Sequence, residues 1–156
     1  MKNWKKVVIA ILIPLLVGGI SGYFTASGVG TWYTQINKPT WNPPNQIFAP
    51  VWTILYIMMG IALFLIWKSN ANAADKKKAI IIWSMQMLLN FLWSFIFFNQ
   101  HLIGLALADI AGMWFFILIT IFAFAKINKT AAWLLVPYIA WVSFAGVLNF
   151  AIWWLN

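Results

Sequence analysis

The sequence predicts an all-α membrane protein: a bundle of five transmembrane helices with a Pro/Trp-rich loop covering one end. Three observations carry that expectation. Of the 156 residues, 64% are hydrophobic and only 8% are charged, whereas a soluble domain carries about 25% charged residues and covers its surface with them. The apolar residues fall into five runs, each close to the roughly 20 residues that a helix needs to cross hydrocarbon. The cationic residues stand in short clusters between the runs, the pattern by which a chain encodes its topology in a bilayer.

One domain, residues 1–156, with helices near 6–27, 47–67, 79–98, 102–124 and 131–153, accommodates these runs. The first follows Lys2, Lys5 and Lys6, as the core of a signal peptide would. It is long, however, and Thr25-Ala26-Ser27 is a weak cleavage site, so it is expected to be retained. Gly18, Gly22 and Ala26 recur every four residues along it. Small residues at that spacing let helix backbones approach closely, either inside one bundle or between two copies.

Residues 32–56, WYTQINKPTWNPPNQIFAPVWTILY, hold four of the six prolines. Each proline fixes φ and removes a backbone donor. Pro39, Pro43, Pro44 and Pro50 therefore prevent one continuous helical hairpin and favour an ordered cover. Pro50 is tolerated in the first turn of the second helix. Trp32, Tyr33 and Trp41 can lie across the mouth of the bundle. Trp52 and Tyr56 then share a face of the second helix. The segment KSNANAADKKK, 68–78, reads as a solvated loop.

In the third run Gln86, Asn90 and Ser94 repeat at four-residue spacing, and Asn90, Trp93 and Phe97 share a face. The fourth carries Gly104, Ala108 and Gly112 and the only acid within a span, Asp109. An ionisable group inside a membrane is costly and by default a functional candidate. The plainer reading is structural: Asp109 bonds a neighbouring helix, with Asn90 or Asn149 as partner. The fifth run places Trp141, Phe144, Ala145 and Leu148 on one face and adds Tyr138, Ser143 and Asn149.

Nine of the ten lysines lie before helix 1, between helices 2 and 3, or between helices 4 and 5, and Lys38 alone falls on the other side. The bias puts the N-terminus in the cytoplasm and the C-terminus outside. The net charge of +8 is thereby a topology signal, and no nucleic-acid partner is expected. The chain has no cysteine and one histidine, His101. Thiolate sites and histidine clusters are excluded, and no metal or required cofactor is expected. Neither a nucleophile–base pair nor a phosphate loop is present, so any turnover would draw its reactivity from a bound chromophore, light and oxygen.

Depth joins these residues. At 1.5 Å per residue from the outer helix ends, Trp52 and Tyr56 lie about 6 and 12 Å in, Asp109 about 10 Å, and Trp141 and Phe144 about 13–18 Å. Asn90 and Trp93 come in at depths similar to those of Trp52 and Tyr56. Trp4, Trp67, Trp133, Trp153 and Trp154 sit near span ends and read as interfacial anchors. Trp52, Trp93, Trp114 and Trp141 are too deep for that role. An indole offers a flat face and one N–H donor, which suits stacking on a flat ring system. Core packing is the plain reading of any one of these residues. Together they suggest a pocket for a large planar apolar ligand in the outer half of the bundle, beneath the loop.

The chain also resembles a known family over about residues 18–150. Trp32-Tyr33, Lys38-Pro39, Trp41, Pro43-Pro44, Phe48, Pro50, Trp52 and Leu55-Tyr56 are similar to the signature of the TspO/MBR family. That family comprises the bacterial tryptophan-rich sensory proteins and the mitochondrial translocator protein, or peripheral benzodiazepine receptor. Asn90, Trp93-Ser94, Ala108-Asp109 and AWLLVPYIAWVSFAGVLN, 132–149, continue the match in order. The resemblance implies a five-helix homodimer in the bacterial cytoplasmic membrane that binds protoporphyrin IX or a related tetrapyrrole, and synthetic isoquinoline or benzodiazepine ligands. Its pocket walls would comprise Tyr33, Pro43, Phe48, Trp52 and Tyr56, with Asn90 and Trp93, and with Trp141, Ala145 and Leu148. Light-dependent breakdown of bound porphyrin is also implied, with Trp52 and Trp141 as the participating pair. One feature departs from the animal members: no basic residue follows Tyr138, so their sterol-recognition pattern is absent. Transport of a small hydrophobic molecule and a purely structural role are the competing readings. The crowding of polar groups into one half favours a closed pocket over a conduit.

Overall fold

A computed structural model describes all residues, 1–156. It is all-helical, and five of its helical segments are long and apolar enough to cross a membrane. Helix α1 spans Asn3–Val29, the short α2 Trp32–Gln35, α3 Asn45–Trp67 and α4 Ala73–Ser94. A π-helical turn, Phe95–Asn99, extends α4; α5 spans Ile103–Ala125, α6 Lys129–Leu134 and α7 Val136–Leu155. The chain is an integral multi-pass membrane protein.

Helix α1 lies along α3, α3 meets α6, α7 lies along α5, α5 along α4, and α4 with its π-turn returns to α1. The helices thus close a ring. Small residues set the tightest approaches. A Cβ on Gly60 would stand 2.6 Å from Ile11 Cα and 2.8 Å from the Ala10 carbonyl oxygen. A Cβ on Gly18 would stand 2.5 Å from the Tyr56 ring. On α5, Gly104 faces Trp153 and Gly112 faces Leu89. These glycines pack within one bundle, but Gly22 has open space before it, so the α1 repeat is only in part a packing stripe.

Two boundaries differ from expectation. Helix α4 begins at Ala73, so most of 68–78 is helix rather than solvated loop. Asn72 caps it: its Oδ1 accepts from the Asp75 N–H at 2.8 Å, and its Nδ2 donates to Asp75 Oδ2 at 2.7 Å. Capping with an acid in the first turn stabilises the helix start, so the lysines continue the helix into water. The last span is two helices, because the ladder breaks at Leu135 just before Pro137, which has no N–H to donate. Asn128 caps the first piece through Ala131 N–H at 3.0 Å.

The loop after α1 covers one end of the bundle, as expected. Asn37 N–H donates to Asn156 Oδ1 at 3.0 Å, and Asn156 Nδ2 returns a bond to the Asn37 carbonyl at 2.8 Å. Lys38 Nζ donates to the carbonyls of Tyr33 at 2.6 Å and Ile36 at 3.2 Å. The only residue with a left-handed backbone is His101, φ 59°, at the turn between α4 and α5. Trp32 stacks on its ring at 4.3 Å, tying the cover to that turn. Trp4, Trp133, Trp153 and Trp154 are exposed near helix ends, where anchors belong.

Candidate functional site

Beneath the loop lies a cavity of about 460 Å³, within the range of about 300–1,000 Å³ that small-molecule sites occupy. Tyr33 closes it from above. This side chain is 2% exposed, and its hydroxyl donates to Asn42 Oδ1 at 2.8 Å. Burial pushes the phenol up to about 12 from its ordinary 10.0, the bond to Asn42 offsetting part of the shift. It therefore stays a neutral donor at any physiological pH.

Helix α3 supplies Phe48, Trp52 and Tyr56 to the walls; α7 supplies Trp141, Ala145 and Leu148; α4 supplies Trp93. The helical period brings each set to one face. Trp52 stacks on Tyr56 with ring centroids 5.6 Å apart, and Phe48 meets Trp141 edge-on at 6.1 Å. Trp93 stacks on Phe97 at 5.2 Å. Its Nε1 donates to Asn149 Oδ1 at 3.0 Å, and Asn149 Nδ2 donates to the Ile103 carbonyl at 3.1 Å. That pair fixes the plane of the Trp93 ring. Trp141 Nε1, by contrast, is buried without a partner.

The floor is a chain of hydrogen bonds across three helices. Tyr56 Oη donates to Asn90 Oδ1 at 2.7 Å, Asn90 Nδ2 donates to Tyr138 Oη at 2.7 Å, and Tyr138 Oη donates to Gln86 Oε1 at 2.6 Å. All four residues are buried. The low dielectric strengthens such a chain and makes each member costly to lose.

Most of the expected wall residues meet at this cavity, but Pro43 and Asn90 do not line it. Pro43 stays in the loop, and Asn90 lies behind Tyr56 in the floor. Trp114 faces outward at 39% exposure and donates to Ser143 Oγ at 2.8 Å. Asp109 is away from the cavity, and the partnership expected for it does not form. Asn90 is engaged by two tyrosines and Asn149 by Trp93 and Ile103, which leaves Asp109 Oδ2 buried without a hydrogen bond. An unsatisfied buried group destabilises by about 1–3 kcal/mol. Asp109→Ala is therefore expected to raise the thermal midpoint in detergent; a clear drop would show that the carboxyl holds the bundle together.

Sequence reasoning missed the contribution of α1, which lines the cavity through Gly18, Gly19, Ser21, Gly22, Thr25 and Ala26. Their four-residue repeat was the available signal, and it reads equally as helix packing. Asn149, expected as structural, both orients Trp93 and lines the cavity.

Fold and site together define a class: multi-pass membrane proteins that enclose an aromatic small-molecule cavity among five helices. The TspO/MBR family profile matches residues 10–155, and the chain belongs to that family. It is 42% identical over 159 residues to the tryptophan-rich protein TspO of Chlorobaculum tepidum, covering 99% of this chain and 98% of that one. It is 35% identical over 153 residues to the translocator protein of Bos taurus, covering 96% and 89%. Identity to the tryptophan-rich sensory protein of Cereibacter sphaeroides is 36% over 125 residues, covering 80% and 77%.

Proposed function

We propose that the protein is a membrane receptor of sensory type that binds porphyrins, protoporphyrin IX among them, in the cavity beneath the loop. One observation carries this reading. Trp52, Trp93 and Trp141 present indole rings to a single cavity from three different helices, an arrangement suited to a broad flat ring system. The names of the sensory and translocator relatives support a receptor role. Under light, the bound porphyrin would be oxidised with molecular oxygen as oxidant, and Trp52 and Trp141 are the adjacent rings able to exchange electrons with it. Transport is the weaker reading, because the Tyr56–Asn90–Tyr138–Gln86 chain closes the cavity floor. The proposal includes a homodimer and a cytoplasmic N-terminus, to be checked by cross-linking in native membranes and by protease access to sealed vesicles.

The experiment is a protoporphyrin IX titration of the detergent-purified protein in the dark, followed by illumination. Saturable tryptophan quenching is the expected result, and its absence would sink the porphyrin reading. Loss of the porphyrin absorbance bands on illumination, dependent on the protein, would establish the photochemical step. Trp52→Phe and Trp141→Phe should each slow that loss while leaving the fold and most of the binding intact. Unchanged rates in both variants would remove the two rings from the chemistry.

A further inference from the structure

A second cavity, of about 330 Å³, lies at the end of the bundle away from the loop, between the start of α4 and the end of α5. Both helices build it on the same pattern. On α4, Lys78 stands nearest the helix end, and Ile82 follows one turn further along the same face. On α5, Lys126 stands just past the helix end, and Phe122 and Ile119 lie one and two turns back. The two helices are antiparallel neighbours, so the cations gather at one end of the cavity. The apolar side chains then lead from them toward the middle of the membrane. Phe122 is 62% exposed and turns its ring to the lipid side of its span.

The lysines at this end of the bundle differ in what they touch. Lys76 Nζ donates to the Trp67 carbonyl at 3.0 Å, Lys6 lies over the Trp67 ring at 5.7 Å, and Lys68 lies over the Phe64 ring at 5.4 Å. Those ammonium groups are engaged within the protein. Lys78 and Lys126 have no hydrogen bond, ion pair or aromatic ring, and they are the two lysines that line the cavity. Lys77 and Lys129 are also unengaged, but they lie outside it. The one acid at the rim, Asp75, is turned to its helix cap, where Oδ2 accepts from Asn72 Nδ2 at 2.7 Å. Nine lysines against that single acid leave this end strongly positive.

Two cations at the head of an apolar groove call for an occupant of matching polarity, an anion attached to hydrocarbon. A free phosphate would leave the groove walls uncovered. A plain hydrocarbon would leave both ammonium groups without a counter-charge. Lysines at a helix end reach the headgroup level of a bilayer, and basic pockets between membrane helices recognise anionic lipid headgroups there. We propose that this cavity seats one anionic phospholipid, its phosphate between Lys78 and Lys126 and an acyl chain along Ile82, Ile119 and Phe122. The lipid ties the start of α4 to the end of α5. This site is separate from the aromatic cavity and does not rest on the porphyrin reading.

The test is a titration of delipidated protein in a nonionic detergent with dioleoylphosphatidylglycerol or dioleoylphosphatidylcholine, counting bound lipid by native mass spectrometry. One phosphatidylglycerol should be held per chain, more tightly than phosphatidylcholine. A lysine beside an anionic headgroup contributes about fivefold to affinity, so Lys78→Gln with Lys126→Gln should weaken retention about thirtyfold. Lys77→Gln with Lys129→Gln removes the same charge from the same end and should leave retention nearly unchanged. Glycerol 3-phosphate, the anion without its chains, should not compete at equal concentration. Equal retention of the two lipids, equal losses in the two double variants, or competition by glycerol 3-phosphate would each overturn the site. A phosphatidylglycerol with a photoreactive acyl chain, added at one per chain to the unmodified protein, gives a second readout that needs no variant. Labelling should concentrate at 78–82 and 119–126; labelling spread evenly over the five spans would also overturn the proposal.

Discussion

In the Asn90→Leu variant the thermal midpoint is expected to fall further than for removal of any other single polar side chain in the bundle. Leucine has the same number of side-chain heavy atoms and the same branching as asparagine, so the main loss is one of hydrogen bonding. Asn90 is 2% exposed and is shared between two phenols, accepting from Tyr56 and donating to Tyr138. Without it, Tyr56 Oη loses its Asn90 acceptor, and Tyr138 keeps only Gln86. Each buried group left unpaired costs about 1–3 kcal/mol, and two groups of one chain are affected. Replacing both partners with apolar groups of similar shape should return part of the loss. Asn90→Leu combined with Tyr56→Phe is thus expected to melt higher than Asn90→Leu alone. Thermal melts in detergent would check both, with Ser143→Ala as the exposed comparison. A fall no larger than that of Ser143→Ala would show that the chain does not hold the bundle. Ligand affinity should also drop, since the Tyr56 ring forms part of the cavity wall.

What the sequence conveyed and what it withheld divide along a physical line. Hydrophobic length and a proline-rich segment are local properties, so five spans and a loop-covered end could be read directly. The aromatic faces of α3 and α7 were legible because the helical period places Trp52 over Tyr56 and Trp141 over Ala145 and Leu148. Partnership was not legible, because it depends on rotation between helices. Asp109 and Asn90 lie at similar depths on neighbouring helices, yet Asn90 turns to tyrosines on α3 and α7 and leaves the carboxyl alone. Trp114 shows the same limit: depth alone argued for an inward role, and rotation sent it to the lipid face. Helix α1 was the largest omission. Glycine has no side chain to announce a cavity wall, and the same Gly18–Gly22 repeat serves close packing at one residue and open space at the next. The early start of α4 was legible in principle, because Asn72 and Asp75 form a cap, but three lysines masked it.

The contrast among glycines yields the other large expected effect, in which one methyl group decides how two helices meet. Gly60→Ala should destabilise the bundle by about 1–3 kcal/mol, the ordinary cost of overpacking a tight site. Gly104→Ala should cost far less. Alanine is the better helix former at both positions, so propensity predicts a gain in each case and only the neighbour separates them. At Gly60 the added Cβ meets backbone, Ile11 Cα at 2.6 Å and the Ala10 carbonyl oxygen at 2.8 Å. A helix backbone yields only by moving as a unit. At Gly104 the added atom meets the Trp153 side chain at 3.2 Å, and that indole is 46% exposed and free to turn aside. Thermal melts of the two variants, measured in the same detergent, decide the matter. If Gly60→Ala melts as high as the parent, α1 and α3 are not held in the register that positions Gly18 against Tyr56. If it melts lower and Gly104→Ala does not, the seam between α1 and α3 is fixed by backbone contact at Gly60. Nearer the loop that constraint lapses, because a Cβ added to Gly19 or Gly22 would find nothing within 4 Å.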